Sequence, residues 1–340
     1  PLLLMAWKVA PALAAGNTVV IKPSELTPLS TLYIAENCWD HFPPGVINII
    51  NGYGKDVAEP MVLDKDVPVI AFTGSLATGQ RIASLAAPMM KKLHLELGGK
   101  DAFVIADDAD PELAARALAY AGLTNCGQVC TSTERIYLPR KRAKEFTEAL
   151  VAHVSTLRIG AGMDSNTDIG PMIGDSYRSK TEGHVADAIA AGAKVLFGGK
   201  RPSHLKKGYF YEPTILGNVT QNMVVMREET FGPVLPLMEY DSFEEAIAYT
   251  NDCEFGLGAC LLTTDSYKAK MFFEEVKAGT IWINDPLTDN YAGPFGGMKY
   301  SGGARELGQE GLDEFRETKH VHWDFAAKGK SWWYPYGAHN

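Results

Sequence analysis

The first twenty residues are apolar almost throughout, interrupted chiefly by Lys8, Pro11 and Asn17. A helix apolar on all sides is normally buried, so residues 1–15 are expected to form an enclosed helix. Short β-branched or apolar runs at 18–22, 46–50, 68–72 and 93–97 read as strands. Segments of helical character separate them. Thr27-Pro28 supplies a cap and a first-turn proline for a helix over 28–41, and Ser75 caps another running to about Ala87. Continuous apolar strands alternating with helices predict a doubly wound parallel sheet over 1–98. Four strands would leave a thin sheet with open edges, so more strands are expected before residue 1.

The alternation continues over 99–300 with different spacing, giving a second α/β domain that is expected to be catalytic. Strands are expected at 102–106, 135–138, 194–197, 234–240, 258–262 and 279–284. Helices are expected at 110–122, 141–157, 176–191, 242–251 and 266–277. The tail starts extended at Lys319, and its aromatic cluster 332–336 predicts docking, with another subunit as a candidate.

Composition narrows the function classes. The net charge is −9 with acids scattered along the chain, which argues against nucleic-acid or anionic-membrane partners. No run approaches the roughly 20 unbroken apolar residues of a membrane span. Five cysteines, an odd number in a chain too large to need staples, point to free thiols in a reducing, cytoplasmic setting. Cys38 and Cys260 read as core residues, whereas Cys253 lies between two acids and could be exposed. Cys126 and Cys130 are four apart with no second pair and no nearby histidine, so no metal is expected. The chain opens at Pro1 directly in an apolar helix, which does not read as a natural N-terminus.

Candidate chemistry sits at breaks in the pattern. Cys130 follows the polar, glycine-containing stretch Asn125-Cys126-Gly127-Gln128-Val129. Backbone N–H groups in such a loop could stabilise a thiolate and then an oxyanion, although a small buried hydrophobe is the commoner fate of a free cysteine. Glu96 ends an apolar strand beside Gly98-Gly99. Burial there would make it a usable general base, while an exposed face or an ion pair would be the ordinary alternative. Lys22, Ser24 and Glu25 follow a strand where ribose hydroxyls are commonly held. Gly74 and Ser75 open a helix, a ready phosphate site, and Gly52-Tyr53-Gly54 is half a dinucleotide fingerprint. Each has a bland reading as a turn or cap. Glu229 and Phe231 precede another strand, where a solvated acidic turn would look the same.

In order along the chain stand KVAPALAAGNTVVIKPSELTP, PPGVINIINGYG, VIAFTGS, LHLELGGK, NCGQVC, EETFGPVLP, AGTIWIN and PFGGMKYSGGARELGQEG. Together these strings resemble the aldehyde dehydrogenase superfamily, in its NAD-dependent, hydrolytic branch. The resemblance implies that Cys130 is the nucleophile and Glu96 the base for the hydrolytic water. Lys8 would lie on a proton path near Glu96. Lys22 and Glu25 would hold the adenosine ribose, in the stretch that also contains Ser24. Gly74 and Ser75 would meet the pyrophosphate, and Gly98 and Gly99 would underlie the nicotinamide. Glu229 would bind the nicotinamide ribose, with Phe231 near the ring. Glu25 favours NAD, with NADP also possible. The resemblance further implies a Rossmann-like dinucleotide-binding domain over 1–98, a catalytic domain over 99–300, and a segment 301–340 that returns to the cofactor domain and the oligomer interface. In it, 319–325 would be the oligomerisation strand of a homodimer or homotetramer acting on a small-molecule aldehyde.

Two departures stand out. The family's oxyanion asparagine falls in a Pro-Trp-Asn string just before the match to Pro1-Leu2-Leu3. Gln309 takes the place where many members carry a glutamate that relays protons with the Lys8 equivalent. A CoA-acylating branch and a non-catalytic protein on the same fold are the alternatives. The loops 123–131 and 284–294 are expected to line the substrate site, and without basic residues they disfavour a carboxylate-bearing aldehyde.

Overall fold

The computed structural model describes residues 1–336. Its centre is a seven-stranded sheet in the order β12-β11-β5-β6-β9-β8-β7. In chain order these strands are β5 (Asp101–Ile105), β6 (Thr133–Pro139), β7 (Lys194–Phe197), β8 (Thr214–Gly217), β9 (Val234–Tyr240), β11 (Gly258–Leu262) and β12 (Thr280–Ile283). All neighbours run parallel except β7 and β8. Helices α5 (Pro111–Leu123), α6 (Ala143–Val154), α7 (Asp175–Ala190), α9 (Phe243–Asn251) and α10 (Ser266–Glu275) complete the alternation. Every residue of β5, β6, β8 and β11 is buried, as expected of parallel strands covered on both faces. Phe103, Ile136, Tyr137, Phe146, Leu235 and Phe272 anchor this core.

The N-terminal part differs from the expected four-stranded sheet. β1 (Val19–Ile21) pairs with β2 (Ile47–Ile49), and β3 (Val69–Thr73) with β4 (Lys92–Glu96), each in parallel. No ladder joins the two pairs among the described residues. Strands of three residues offer few ladder bonds, and β1 and β2 have no fully buried residue. The first helix, α1 (Leu2–Ala14), is not enclosed: only Val9 and Ala12 are buried, and Leu3 is 57 % exposed. The described residues leave its apolar outer face uncovered. α2 (Leu29–Cys38) starts after Pro28 with no side-chain cap, so Thr27 is not its cap, and Cys38 is exposed rather than core. Residues 319–325 form no strand, because an edge strand needs a partner for its N–H and C=O groups and the chain itself offers none among the described residues. Trp323, Phe325, Trp332 and Trp333 are exposed.

α4 (Leu76–Ala86) links β3 to β4, and its Ser75 cap accepts the Thr78 N–H at 3.3 Å, as expected. β4 then leaves its small sheet through Leu97-Gly98-Gly99-Lys100 and enters the central sheet as β5. A later turn around Ser301 packs on β4. There Gly302 has φ +101°, and a Cβ would lie 2.0 Å from the Leu95 carbonyl oxygen. Gly302→Ala is therefore expected to destabilise the protein by more than about 2 kcal/mol. Gly303→Ala, with nothing within 4 Å of its Cβ, is expected to change little. Denaturant unfolding of both variants checks this. Equal effects would contradict it.

Candidate active site

Four segments converge on the crossing between β4 and β5. Gly74 N–H donates to the Glu96 carbonyl at 3.1 Å, and Leu97 N–H to the Ser301 carbonyl at 2.9 Å. The Ser301 hydroxyl donates to the Gly98 carbonyl at 2.8 Å and accepts Gly256 N–H at 3.1 Å. Gly99 N–H donates to Glu229 Oε1 at 3.1 Å. A Cβ on Gly98 would come within 2.9 Å of Glu229 Oε1, and one on Gly99 within 2.3 Å of the Cys130 carbonyl oxygen. The two glycines thus let the strand end, the Cys130 loop and Glu229 meet.

The Cys130 loop is a tight turn. Asn125, Cys126 and Gly127 are consecutively left-handed, with φ of 53°, 60° and 70°. Asn125 and Gln128 exchange amide-to-carbonyl bonds of 3.0 Å, and the Gln128 side-chain oxygen accepts Ile173 N–H at 2.8 Å. Cys126 is buried, whereas Cys130 is half-buried beyond the turn. Burial pushes the Cys130 thiol up to about 12, and the charges of Asp101, Glu229 and Glu96 add to this; the Thr131 N–H opposes it. Burial alone raises Cys126 to about 12. Position therefore distinguishes the two thiols: only Cys130 has three carboxyl groups around it.

Glu96 is buried, and neither carboxylate oxygen has a partner. Burial first, then the charge of Glu306, raises its carboxyl to about 8, against Lys8 and Arg305. Glu229 rises to about 7 through burial and the charge of Glu134, opposed by the bond from Gly99. Its loop is held from beneath. Glu134 accepts the N–H groups of Thr230 and Phe231, both at 2.7 Å, and pairs with buried Lys100 at 2.5 Å. Phe231 has φ 54° and tilts against Tyr177 at 6.4 Å. The sequence reading missed this clasp. Its signal was charge inside apolar strands, at Lys100 and at Glu134-Arg135. Asp101 is buried with both carboxyl oxygens unpartnered, and burial pushes it well above the usual carboxylate range.

Lys22, Gly74 and Ser75 follow the carboxyl ends of β1 and β3, the edge where ligands of such sheets bind. Lys22 Nζ donates to the carbonyls of Pro23 at 2.7 Å and Gly52 at 2.8 Å, and lies 3.4 Å from Glu25. Ser24 accepts Leu26 N–H at 3.3 Å. Gly52-Tyr53-Gly54 leads from β2 into a π-helical turn at Gly54–Ala58.

The acidic partner of Lys8 departs from expectation. Lys8 Nζ donates to Thr73 Oγ1 at 2.6 Å and pairs with Glu306, not with the region of Gln309. Gln309 is exposed and donates to Asp313 at 3.0 Å. Glu306, only 1 % exposed, also meets His94. Burial would raise Glu306, but the bond from His94 and the charge of Lys8 outweigh it and hold it below the usual carboxylate range. Glu306 stands three residues before Gln309 in the same stretch, ARELGQ. Among the described residues no group of three or more His, Cys, Asp and Glu side chains could hold a metal. No helix among them is long and apolar enough to cross a membrane.

Residues 1–321 match the sequence model described as the aldehyde dehydrogenase family. The chain is 40 % identical over 336 residues to a peroxisomal aminoaldehyde dehydrogenase 2 of Pisum sativum, covering 98 % of this chain and 67 % of that protein. It is 40 % identical over 335 residues to a betaine aldehyde dehydrogenase of Bacillus subtilis, covering 98 % and 68 %. A crystal structure of a Staphylococcus aureus betaine aldehyde dehydrogenase with NAD+ superposes with a TM-score of 0.94 at 40 % identity, covering 98 % of this chain and 67 % of that one. The chain spans about two thirds of the length of these relatives, and slightly less, 64 %, of a chloroplastic one from Arabidopsis thaliana.

Proposed function

The chain belongs to the aldehyde dehydrogenase family, and on that premise we propose that it oxidises an aldehyde to a carboxylic acid with NAD. Residues 1–98 hold the cofactor, 99–300 carry the thiol and the segment beginning at 301 returns across the site. The meeting of Cys130, Glu96 and Glu229 at the Gly98-Gly99 crossing carries this reading.

The residues suit a dinucleotide. Glycines leave the backbone open at Gly74 and Gly98, where a Cβ would strike Phe72 at 2.5 Å and Glu229 at 2.9 Å. The N-terminus of α4, capped by Ser75 at Thr78 N–H, suits a pyrophosphate. Glu25 and Lys22 hold the adenosine ribose, and the charge of Glu25 disfavours a 2′-phosphate, hence NAD over NADP. Ser24 shapes that turn. Glu229, fixed by Gly99 N–H, takes the nicotinamide ribose, with Phe231 beside the ring. When bound, NAD supplies the acceptor for the hydride that leaves the Cys130 adduct.

The protein's own residues do the rest. The Cys130 thiolate adds to the carbonyl carbon, and the Thr131 N–H lies where it can stabilise negative charge. After oxidation the acyl group is a thioester on Cys130. Glu96 takes a proton from water as the water adds, and collapse of the adduct frees the carboxylic acid and restores the thiolate. Lys8 and Glu306 pass the proton onward. The unpaired carboxylate of Glu96 favours water over coenzyme A as acceptor. Saturating coenzyme A is therefore expected to leave turnover unchanged.

The relatives' names carry betaine and amino aldehydes. Trp7 and Phe295, with ring centres 5.2 Å apart, lie beside a loop that holds Asp285 and Asp289 and no basic residue over 284–294. We infer a cationic aldehyde, since aromatic faces and carboxylates both attract cations. NADH absorbance with a panel of cationic, neutral and anionic aldehydes tests this. Preference for an anionic aldehyde would refute it. The five free cysteines suit a reducing compartment, and the exposed aromatics of 321–336 suit a homodimer or homotetramer contact.

A pH dependence follows from Glu96. Only its deprotonated form takes the proton from water, and that form dominates above a pKa of about 8. Hydrolysis-limited turnover is therefore expected to rise roughly tenfold per pH unit below 8 and to level off above it. Steady-state rates from pH 6 to 10 check this. A flat profile between 6 and 8 would contradict it.

A further inference from the structure

One fully enclosed titratable side chain beside the site has no part in the scheme so far. His94 lies two residues before Glu96 in β4, so both face the same side of the strand, and both are buried. Its Nε2 is 3.3 Å from Glu306 Oε1, the oxygen that also pairs with Lys8. Its ring stacks on Phe315 with centres 5.7 Å apart and planes at 24°. Its Nδ1 has no partner, and neither has Glu306 Oε2.

We propose that His94 is a positioning residue for the hydrolytic step: its Nε2–H holds the Glu306 carboxylate against Lys8 and so fixes the charge that Glu96 faces. The proposal rests on the reading of Glu96 as the base. A carboxylate only accepts, so the ring nitrogen facing it must be the donor, which assigns the Nε2–H tautomer. Glu96 has no hydrogen-bond partner of its own, so nearby charges tune its basicity. Those that face this cluster are Lys8 from α1, Glu306 and Arg305 from the segment after Ser301, and Glu314 beyond α11 (Gly308–Asp313). Lys92, on β4 itself, pairs with Glu314 at 3.4 Å. Glu306 is the acid bonded to both Lys8 and His94. Without the histidine donor, its ionised form loses one of two bonds. Its negative charge on Glu96 weakens, and Glu96 becomes a weaker base that titrates at lower pH.

The test is His94→Phe in the otherwise unchanged protein, with NAD+ and an aldehyde that the wild type turns over. Phenylalanine keeps the stack on Phe315 and removes the donor. The first burst of NADH is expected to keep its amplitude and rate. On the plateau above pH 8, where Glu96 is ionised in both proteins, steady-state turnover is expected to fall about 10-fold, a fraction of what a general base itself contributes. The acid limb of its pH profile should move to lower pH. His94→Gln, which retains an N–H donor, should recover most of both. An unmoved limb overturns the proposal, whether or not the rate falls, because lost packing alone changes rate without changing titration. If His94→Phe does not fold, the ring ¹⁵N shifts of the wild type decide: the Nε2–H tautomer supports the proposal and the Nδ1–H tautomer overturns it. Failure of the underlying reading shows separately, as a Glu96→Gln variant that still turns over normally.

Discussion

Cys130→Ala is expected to lower aldehyde oxidation by about 10⁴-fold or more, with NAD binding intact. Removing a catalytic nucleophile in comparable machinery costs roughly 10⁴ to 10⁶ in kcat. No other thiol can substitute. Cys126 is buried behind the turn, and Cys260 is enclosed in β11. The variant should fold, because Cys130 is only half-buried and alanine removes a single atom beyond Cβ. Cys126→Ala is the control and should keep turnover within a few-fold. NADH formation under substrate saturation, with cofactor binding followed by fluorescence, measures both. Normal turnover by Cys130→Ala would remove the basis of the mechanism.

Glu96→Gln separates the two halves of the reaction. Thiol addition and oxidation need Cys130 and the cofactor, whereas hydrolysis needs a base. The variant is expected to give one burst of NADH per site and then a steady rate reduced by about 10² to 10⁴-fold, the range for general-base catalysis. Glutamine preserves the shape of a carboxyl group that makes no hydrogen bond in the protein, so the fold loses nothing specific. The pH dependence of the residual rate should also vanish, because the group that titrates near 8 is gone. Rapid-mixing absorbance resolves burst from steady state. A variant without a burst would place Glu96 in the first half-reaction instead.

The sequence made legible those elements whose burial matches their local pattern. The runs at 234–240 and 258–262 appear as Val234–Tyr240 and Gly258–Leu262: the first is buried over Val234–Leu237 and the second throughout, so an unbroken apolar run marks each. β8 was missed. Its four buried residues, Thr214–Gly217, sit between a proline and a polar turn and are too short to show a period. The reverse case is α1, where the apolar pattern suggests an enclosure that the described residues do not supply. Site residues followed the same division. Glu96 and Cys130 stood beside local breaks in pattern. Glu306 meets Lys8 across 298 positions, and no local pattern reports such a contact. The carry-over by motif landed on Gln309, which faces solvent. Ser301 and Glu134 bond backbone from distant segments, so no local pattern gives their role, although the charge of Glu134 inside an apolar strand was a signal.

The central claim is that one sulfur carries the acyl group while a buried carboxylate waits to release it. Quenching Glu96→Gln with acid after mixing with NAD+ and aldehyde, then mapping the protein by mass spectrometry, tests it most directly. The account predicts one acyl group per chain, on the peptide at Cys130, accumulating at the rate of the NADH burst. An acyl group on another residue, or NADH produced with Cys130 unmodified throughout, would contradict it.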